Sequence, residues 1–247
     1  MSPAAAPPLA SFPARPAPDL AAVAAWNRTH DMAGLRARGG AVVRAIEARR
    51  RALVAARVQR ARPRVVVDVG CEDGWIAEAY AACAEETVLV DLDPAVLARA
   101  ERKGLPRVRC VVGDVRGPAP LAAGSADVVV LSAVLEHVDR PGGALAAWAA
   151  VVRPGGRLVV YVPADRPILL AKRILARTGL HRLVRGVSLE PAPGHVVTFS
   201  RRSLARLLNL FGSVEEIAFD PLVLGYVATV RIPSTPTSAP PSLPRRA

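Results

Sequence analysis

The fold is decided by the stretch Val65-Val66-Val67-Asp68-Val69-Gly70-Cys71-Glu72-Asp73-Gly74-Trp75. A short run of β-branched residues ends in an acid, breaks into a turn with two glycines, and continues into an Ala-rich segment. This order is typical of a buried parallel strand whose carboxyl end faces a ligand. Glycines in such a turn let the backbone approach the ligand closely. The stretch therefore predicts a cofactor site at the end of the first strand.

A second acid stands where a nucleotide-type cofactor needs one. The run Thr87-Val88-Leu89-Val90-Asp91 is again a β-branched strand that ends in a carboxylate. Asp91 follows Gly70 by 91 − 70 = 21 residues. An acid about 20 residues after the glycine turn accepts hydrogen bonds from ribose hydroxyls in dinucleotide-binding folds. Together, the turn and the acid predict a cofactor that carries a ribose.

Strands and helices alternate beyond this point. The pattern predicts an α/β fold, a doubly wound and mostly parallel sheet of the Rossmann-like type, with helices on both faces. Asp93 is expected to cap a helix that has Pro94 in its first turn. Strands are predicted at 64–69, 87–91, 108–112, 126–131 and 157–162, and helices at 74–83, 94–103 and 143–152.

The 247 residues suit one domain with Pro/Ala-rich ends that are predicted to be disordered. The tails are expected at 1–18 and 233–247, and the domain at 19–232. Within the domain we expect N-terminal helices at 20–60, a cofactor-binding core at 64–162, a substrate-covering segment at 163–200, and a C-terminal helix and strands at 201–232.

Composition limits the class of protein. Three cysteines without a CxxC spacing argue against a disulfide framework or a zinc site and favour a reducing compartment. No apolar run approaches the roughly 20 residues of a membrane span, and the N-terminus lacks a secretory pattern. A cytoplasmic location is therefore predicted.

The net charge of +12 indicates either an anionic partner or a compositional bias. The cations are dispersed and are not interleaved with aromatics, so no nucleic-acid partner is predicted. The oligomeric state is left open.

Four blocks, in order, give the chain a recognisable likeness. They are Asp68-Val69-Gly70-Cys71, Val90-Asp91-Leu92-Asp93-Pro94, Gly113-Asp114, and Leu135-Glu136-His137-Val138 with Val152-Arg153-Pro154-Gly155-Gly156-Arg157-Leu158. Over residues 64–162 the chain resembles the core of class I S-adenosylmethionine-dependent methyltransferases, the type 11/23 group that acts on small molecules and quinones. Further likeness lies in Pro193-Gly194-His195 with Phe199-Ser200.

The resemblance implies S-adenosyl-L-methionine as the cofactor and a role for each matching position. Asp91 would bind the ribose, Leu92 would pack on the adenine, and Asp114 with the Val115 amide would contact its edge. Ser132 would lie beside the transferred methyl group. The methionine end of the cofactor would be lined by the loop residues Asp68, Gly70, Cys71 and Gly74. For Asp91 and Asp114, a cap or turn role is the alternative, and Asp127 is expected to start a strand without touching a ligand.

His137 and His195 are the candidate catalytic bases, because histidine titrates near neutral pH. A structural role in a turn is the alternative for each. Some quinone and RNA methyltransferases hold a divalent metal with Glu-x-x-Glu-His at this position. Here Ala133 replaces the first Glu and leaves two ligands, Glu136 and His137, so no metal is predicted.

Two features modify the likeness. Glu72 stands where the family often has a second loop glycine; it is expected to face outward, because an inward carboxylate would repel that of the cofactor. Residues 168–185 combine apolar and basic side chains, which indicates either a lid packed on the sheet or contact with an anionic membrane or amphiphile. The predicted function is methyl transfer to a small-molecule or lipid-like acceptor. The alternative is a cofactor-binding but inactive regulatory or partner protein.

Overall fold

The computed structural model describes residues 34, 36–37, 39–178 and 194–234. Helix α1 begins after Gly40, and the strands and helices then alternate through to the last two strands. The helices are α1 (Ala41–Ala61), α2 (Pro94–Arg102), α3 (Pro141–Val151), α4 (Asp165–Thr178) and α5 (Arg201–Leu208). The strands are β1 (Val65–Val69), β2 (Glu86–Asp91), β3 (Val108–Val112), β4 (Ala126–Ser132), β5 (Val152–Pro163), β6 (Ser213–Asp220) and β7 (Gly225–Arg231).

The seven strands form one sheet in the order β3-β2-β1-β4-β5-β7-β6. The first five pair in parallel, and β7 pairs antiparallel with both β5 and β6. The strand order reverses between β1 and β4, and doubly wound folds bind their ligands at this point. The predicted fold class is confirmed.

Alternation along β1 divides the core between the two faces of the sheet. Val67 and Val69 pack on the side of α3 and α5, around the fully buried Trp148. Val66 packs on the opposite side, with Val54 of α1. Asp68 shares this second face because strand side chains alternate with a period of two. The same alternation that builds the core thus places the Asp68 carboxylate on the face of the sheet that α1 covers.

Two predicted elements were wrong in extent or type. Residues 74–83 form two short 3₁₀ turns, Ala77–Ala79 and Ala81–Cys83, in place of one helix. The chain cannot continue as a helix through Tyr80, whose φ is −137°. β5 starts at Val152 and includes the Pro154-Gly155-Gly156 turn, so it is longer than predicted. Asp93 caps α2 as predicted, since its side chain accepts from the Ala95 amide at 2.8 Å.

Several predictions lie outside the described residues: the tail at 1–18, most of the tail at 233–247, the helical start at 20–33, and residues 179–193 of the substrate-covering segment. Among the described helices, none has the length and apolar character that crossing a membrane requires.

Candidate functional site

A cavity of about 340 Å³ lies at the carboxyl ends of the central strands. It contacts the turn after β1, the end of β2, the Gly113-Asp114 turn, the segment after β4, and His195. Its size falls in the lower range of small-molecule sites. Of the predicted cofactor-binding residues, all but Gly74 line it.

The glycine turn after β1 needs its glycines for two different reasons. Gly70 has a φ of +67°, and a Cβ there would lie 2.5 Å from Val134 Cγ2. Its amide donates to the Val90 carbonyl oxygen at 2.7 Å, which ties the turn to β2. Gly74 has a φ of +74° and packs toward Leu89, so it shapes the turn without lining the cavity. Cys71 is buried and lines the cavity, and burial raises the pKa of its thiol.

Asp68 is a buried carboxylate with one strong partner. It is 2% exposed, and Tyr80 Oη donates to its Oδ2 at 2.6 Å. Burial raises its pKa to about 7, against the opposing effect of the tyrosine hydrogen bond. Loss of hydration disfavours the charged form of a carboxyl group. A cationic ligand in the cavity would therefore meet a carboxyl group that ionises near neutral pH.

Asp91 is held by the backbone at the end of β2. Its Oδ2 accepts from the Glu72 amide at 3.0 Å, and its Oδ1 accepts from the Asp93 amide at 3.0 Å. Burial raises its pKa, and these hydrogen bonds oppose that rise. The alternative turn role is thus present, while the residue also lines the cavity. Leu92 beside it also lines the cavity and is 38% exposed.

Asp114 is paired within its own turn. Arg116 donates to its two oxygens at 3.0 and 2.9 Å. Both residues line the cavity, so a ligand there would meet an ion pair instead of an isolated carboxylate. The Val115 carbonyl accepts from Trp148 Nε1 at 3.1 Å, which fixes the turn to α3. Asp127 accepts from the Val65 amide at 2.8 Å and does not line the cavity, consistent with its expected strand-start role.

Glu72 is neutralised by a residue that the sequence reading did not single out. Arg36, 8% exposed, donates to Glu72 at 3.0 Å and to Asp73 at 2.7 Å. Burial would raise the pKa of Asp73, but hydrogen bonds and charge from Lys103 and Arg36 lower it. The side chain of Glu72 is 40% exposed and lines the cavity. The expected repulsion between Glu72 and the carboxylate of the cofactor is therefore offset by the ion pair with Arg36. Glu72 was expected to face outward; it is partly exposed but also lines the cavity.

Unpartnered polar atoms mark the end of the cavity beyond β4. Ser132 Oγ and Glu136 Oε2 are buried and have no hydrogen-bond partner within the part of the chain that the structure describes. Glu136 is 1% exposed, and burial raises its pKa, although the nearby histidines oppose this. Buried polar groups in native proteins are almost always satisfied, so orphaned ones lining a cavity point to a ligand.

Both candidate histidines reach this end of the cavity. His137 Nδ1 lies 2.8 Å from the Gly194 carbonyl oxygen, and His195 Nδ1 lies 2.7 Å from Asp165 Oδ1. Their rings meet edge to face with centroids 5.1 Å apart. Side chains that are distant in sequence thus converge on the cavity that Ser132 also lines.

The prediction of no metal counted two possible ligands, Glu136 and His137. The structure brings His195 beside them, and donor atoms of the three side chains lie within 4.8 Å of one another. The count on which that prediction rested was too low.

Sequence reading missed the residues that act at long range. Asp165 begins α4, Tyr80 follows a 3₁₀ turn, and Arg36 precedes α1. A buried ion pair, Glu47 with Arg50 at 2.7 Å, also lines the cavity from α1. An i,i+3 acid–base pair is an ordinary surface pattern on a helix, so only burial reveals it.

Comparison with known proteins agrees with the geometry. Residues 67–160 match the family model described as a methyltransferase domain. A curated relative, the ubiquinone biosynthesis O-methyltransferase of Xanthomonas axonopodis pv. citri, is 31% identical over 134 residues, covering 53% of this chain and 56% of the relative. The corresponding protein of Xanthomonas campestris pv. campestris is 33% identical over the same shares. The chain thus spans about half the length of the curated relatives it matches.

Solved structures share the fold at low identity. The N-methyltransferase NodS from Bradyrhizobium japonicum, solved with S-adenosyl-L-homocysteine, has a TM-score of 0.54 at 18% identity, covering 78% of this chain and 89% of that one. A protein from Bordetella parapertussis has a TM-score of 0.59 at 20% identity, covering 75% and 67%.

Strand order, cavity position and domain match define a Rossmann-like methyltransferase fold. The predicted resemblance to methyltransferases is confirmed for residues 67–160, which match the methyltransferase domain.

Proposed function

We propose that the chain binds S-adenosyl-L-methionine in the cavity and transfers its methyl group to a small-molecule or lipid-like acceptor. The observation that carries the proposal is the set of acids at the carboxyl ends of β1, β2 and β3, namely Asp68, Asp91 and Asp114, around one cavity. The cofactor offers an amino group, a ribose diol and an adenine amine, and each of these donates to a carboxylate. The domain is proposed to extend over 19–232.

The cofactor half of the proposal assigns one contact to each element. Asp68 and the turn through Gly70 and Cys71 meet the methionine end, and Asp91 binds the ribose. Leu92 packs on the adenine, whose edge meets Asp114 and the Val115 amide. Support comes from the exposed leucine and from the position of these residues on the cavity wall. Gly74 supports the turn from behind.

The acceptor half lies past Ser132, where His137 and His195 are proposed to serve proton removal. The sulfonium is an activated donor, so the protein chiefly aligns the nucleophile with the methyl carbon. A base is needed when the attacking atom carries a proton. The unpaired oxygens of Ser132 and Glu136 support this placement, since both can hydrogen-bond to the molecule that receives the methyl group.

Calorimetry with S-adenosyl-L-methionine and S-adenosyl-L-homocysteine tests the cofactor assignment. Asp91→Ala should weaken binding by about 1.5–3 kcal/mol, the scale of a lost charge-assisted hydrogen bond. Glu85→Gln is the matched control, because this acid is exposed and pairs only with Arg64 among the contacts described. Absence of binding by the wild type would refute the proposal, and unchanged binding by Asp91→Ala would show that the ribose lies elsewhere.

Formation of S-adenosyl-L-homocysteine tests the transfer step. The chain would be incubated with cofactor and either a low-molecular-mass metabolite fraction or a lipid extract. Product formation with one fraction identifies the acceptor class. Cofactor binding without product in either fraction would favour the inactive regulatory role.

We further propose that α4 contacts an anionic lipid surface. No residue of α4 is buried, and Leu170 and Ile174, one turn apart, are 59% and 52% exposed. The exposed Arg166, Arg173 and Arg177 lie on the same side of the helix. Apolar side chains flanked by arginines suit the boundary between acyl chains and anionic headgroups.

Co-sedimentation with vesicles tests this contact. The chain should pellet at low salt with vesicles containing phosphatidylserine and remain in solution with pure phosphatidylcholine. The double variant Leu170→Asn, Ile174→Asn should lose pelleting, while Leu222→Asn, which alters an equally exposed residue at 52%, should retain it. A wild-type chain that stays in solution with both vesicle types would remove the membrane contact.

A further inference from the structure

We infer that Asp165 is a positioning residue that holds His195 with its proton on Nδ1 and its Nε2 lone pair toward the acceptor, which makes His195 the base of the pair of histidines. This inference deepens the proposed function and depends on it for the identity of the cavity. His137 and His195, which the sequence does not distinguish, then have different roles. Asp165 lies outside every recognised motif.

The side chains of Asp165 and His195 are in direct contact. His195 Nδ1 lies 2.7 Å from Asp165 Oδ1, and the side chains are 18% and 13% exposed. An ionised carboxylate only accepts hydrogen bonds, so Nδ1 must carry the proton. In a neutral imidazole, the lone pair then resides on Nε2, at the opposite edge of the ring. His195 lines the cavity, and this Nε2 edge is assigned to the acceptor.

The position of Asp165 is fixed by the strand that precedes it. It is the first residue of α4 and follows β5 after a single residue, Ala164. The Ala164 amide donates to the Leu224 carbonyl oxygen at 2.8 Å, which ties this corner to the loop before β7. The sheet therefore sets the position of the carboxylate, and the carboxylate sets the position of the ring.

The contacts of His137 hold the chain around His195. Its Nδ1 donates to the carbonyl oxygen of Gly194, the residue immediately before His195, at 2.8 Å. The neighbouring Glu136 carbonyl accepts from the Val196 and Val197 amides at 2.8 and 3.1 Å. Three hydrogen bonds from one 3₁₀ turn thus fix the backbone on both sides of His195. His137 is assigned to placing the base.

Charged groups surround the His195 ring. Burial lowers the pKa of His195, but the Asp165 hydrogen bond and the Glu136 carboxylate outweigh it, so the net pKa is raised. Lys172 opposes the two acids, and the His137 ring meets His195 edge to face.

The reaction balances with these groups alone. The acceptor oxygen attacks the methyl carbon while the carbon–sulfur bond breaks, and that electron pair stays on sulfur as a thioether. The hydroxyl proton passes to His195 Nε2, and the carboxylate of Asp165 stabilises the resulting imidazolium. The imidazolium later loses its proton to solvent. The arrangement is thus suited to an acceptor that must lose a proton, such as a hydroxyl.

Long-range ¹H–¹⁵N NMR on the full chain with labelled histidine tests the inference without a known acceptor. The sequence has four histidines, so His→Gln variants assign the ring signals. In EDTA-treated buffer with S-adenosyl-L-homocysteine, the neutral His195 ring should show the Nδ1–H tautomer and titrate above the usual range of histidine. Asp165→Asn should lower that pKa and populate the other tautomer, since an opposite charge is removed.

Asp165→Glu should recover part of the shift, whereas Asp139→Asn, a partly exposed acid outside the cavity lining, should change nothing. A Nε2–H tautomer in the wild type would overturn the inference, even if Asp165→Asn fails to fold. So would an unchanged tautomer and pKa in folded Asp165→Asn. Calorimetry on the same samples reports cofactor binding separately: loss of binding with the expected tautomer would refute the proposed function and leave the inference about the ring intact.

Discussion

Asp68 makes cofactor binding depend on pH in a defined direction. Burial raises its pKa to about 7, so in the free protein it is mostly protonated below neutrality. The proposed partner is the cationic amino group of the cofactor, which binds the ionised carboxylate. Affinity should therefore rise with pH up to about 7, and binding in the acid range should release a proton.

The magnitude follows from the ionised fraction. With a pKa of about 7, Asp68 is ionised to about 3% at pH 5.5 and to about 76% at pH 7.5. The affinity for S-adenosyl-L-homocysteine should then rise about 25-fold between these pH values, or about 1.9 kcal/mol.

Calorimetry in two buffers of different ionisation enthalpy measures the affinity and the proton release together. Asp68→Asn should bind weakly and without this pH dependence. Tyr80→Phe removes the hydrogen bond that lowers the pKa of Asp68, so the rise in affinity should move to higher pH. The reasoning is refuted if Asp68→Asn keeps the wild-type pH dependence, or if the wild type shows none between pH 5.5 and 7.5.

Two other substitutions probe the turn after β1. Gly70→Ala should cost more than 2 kcal/mol in urea unfolding and lower cofactor affinity, because its Cβ would meet Val134 at 2.5 Å, whereas Gly104→Ala, also at positive φ but in open space, should cost only about 1 kcal/mol; equal costs would contradict the packing argument. Arg36→Ala should weaken S-adenosyl-L-homocysteine binding by about 1 kcal/mol by leaving Glu72 unneutralised. Adding Glu72→Gln should restore most of that loss in calorimetry, and a double variant as weak as Arg36→Ala would show that the charge of Glu72 is not the cause.

The order of elements and the position of the cavity could be predicted because they follow local patterns. Runs of β-branched residues mark buried parallel strands, and an acid or glycine after a run marks its carboxyl end. Asp68, Asp91 and Asp114 were found in this way, and all three line one cavity. The capping role of Asp93 is likewise local and is confirmed.

The departures have long-range causes. The segment 74–83 reads as a helix by composition, yet Tyr80 adopts a φ of −137° and donates its hydroxyl proton to Asp68, 12 residues away. The pairings of Arg36 with Glu72 and of Asp165 with His195 span 36 and 30 residues. No periodicity encodes such contacts, because they arise when the sheet brings separate loops to one edge. For the same reason, the neutralisation of Glu72 could not be read from the turn itself.

A crystal structure of the chain with S-adenosyl-L-homocysteine tests the central claim most directly. The account predicts the ribose hydroxyls on Asp91, the amino group on Asp68, and the sulfur directed toward Ser132 and the Nε2 edge of His195. A ligand bound outside this cavity, or one whose sulfur faces away from His195, would contradict it.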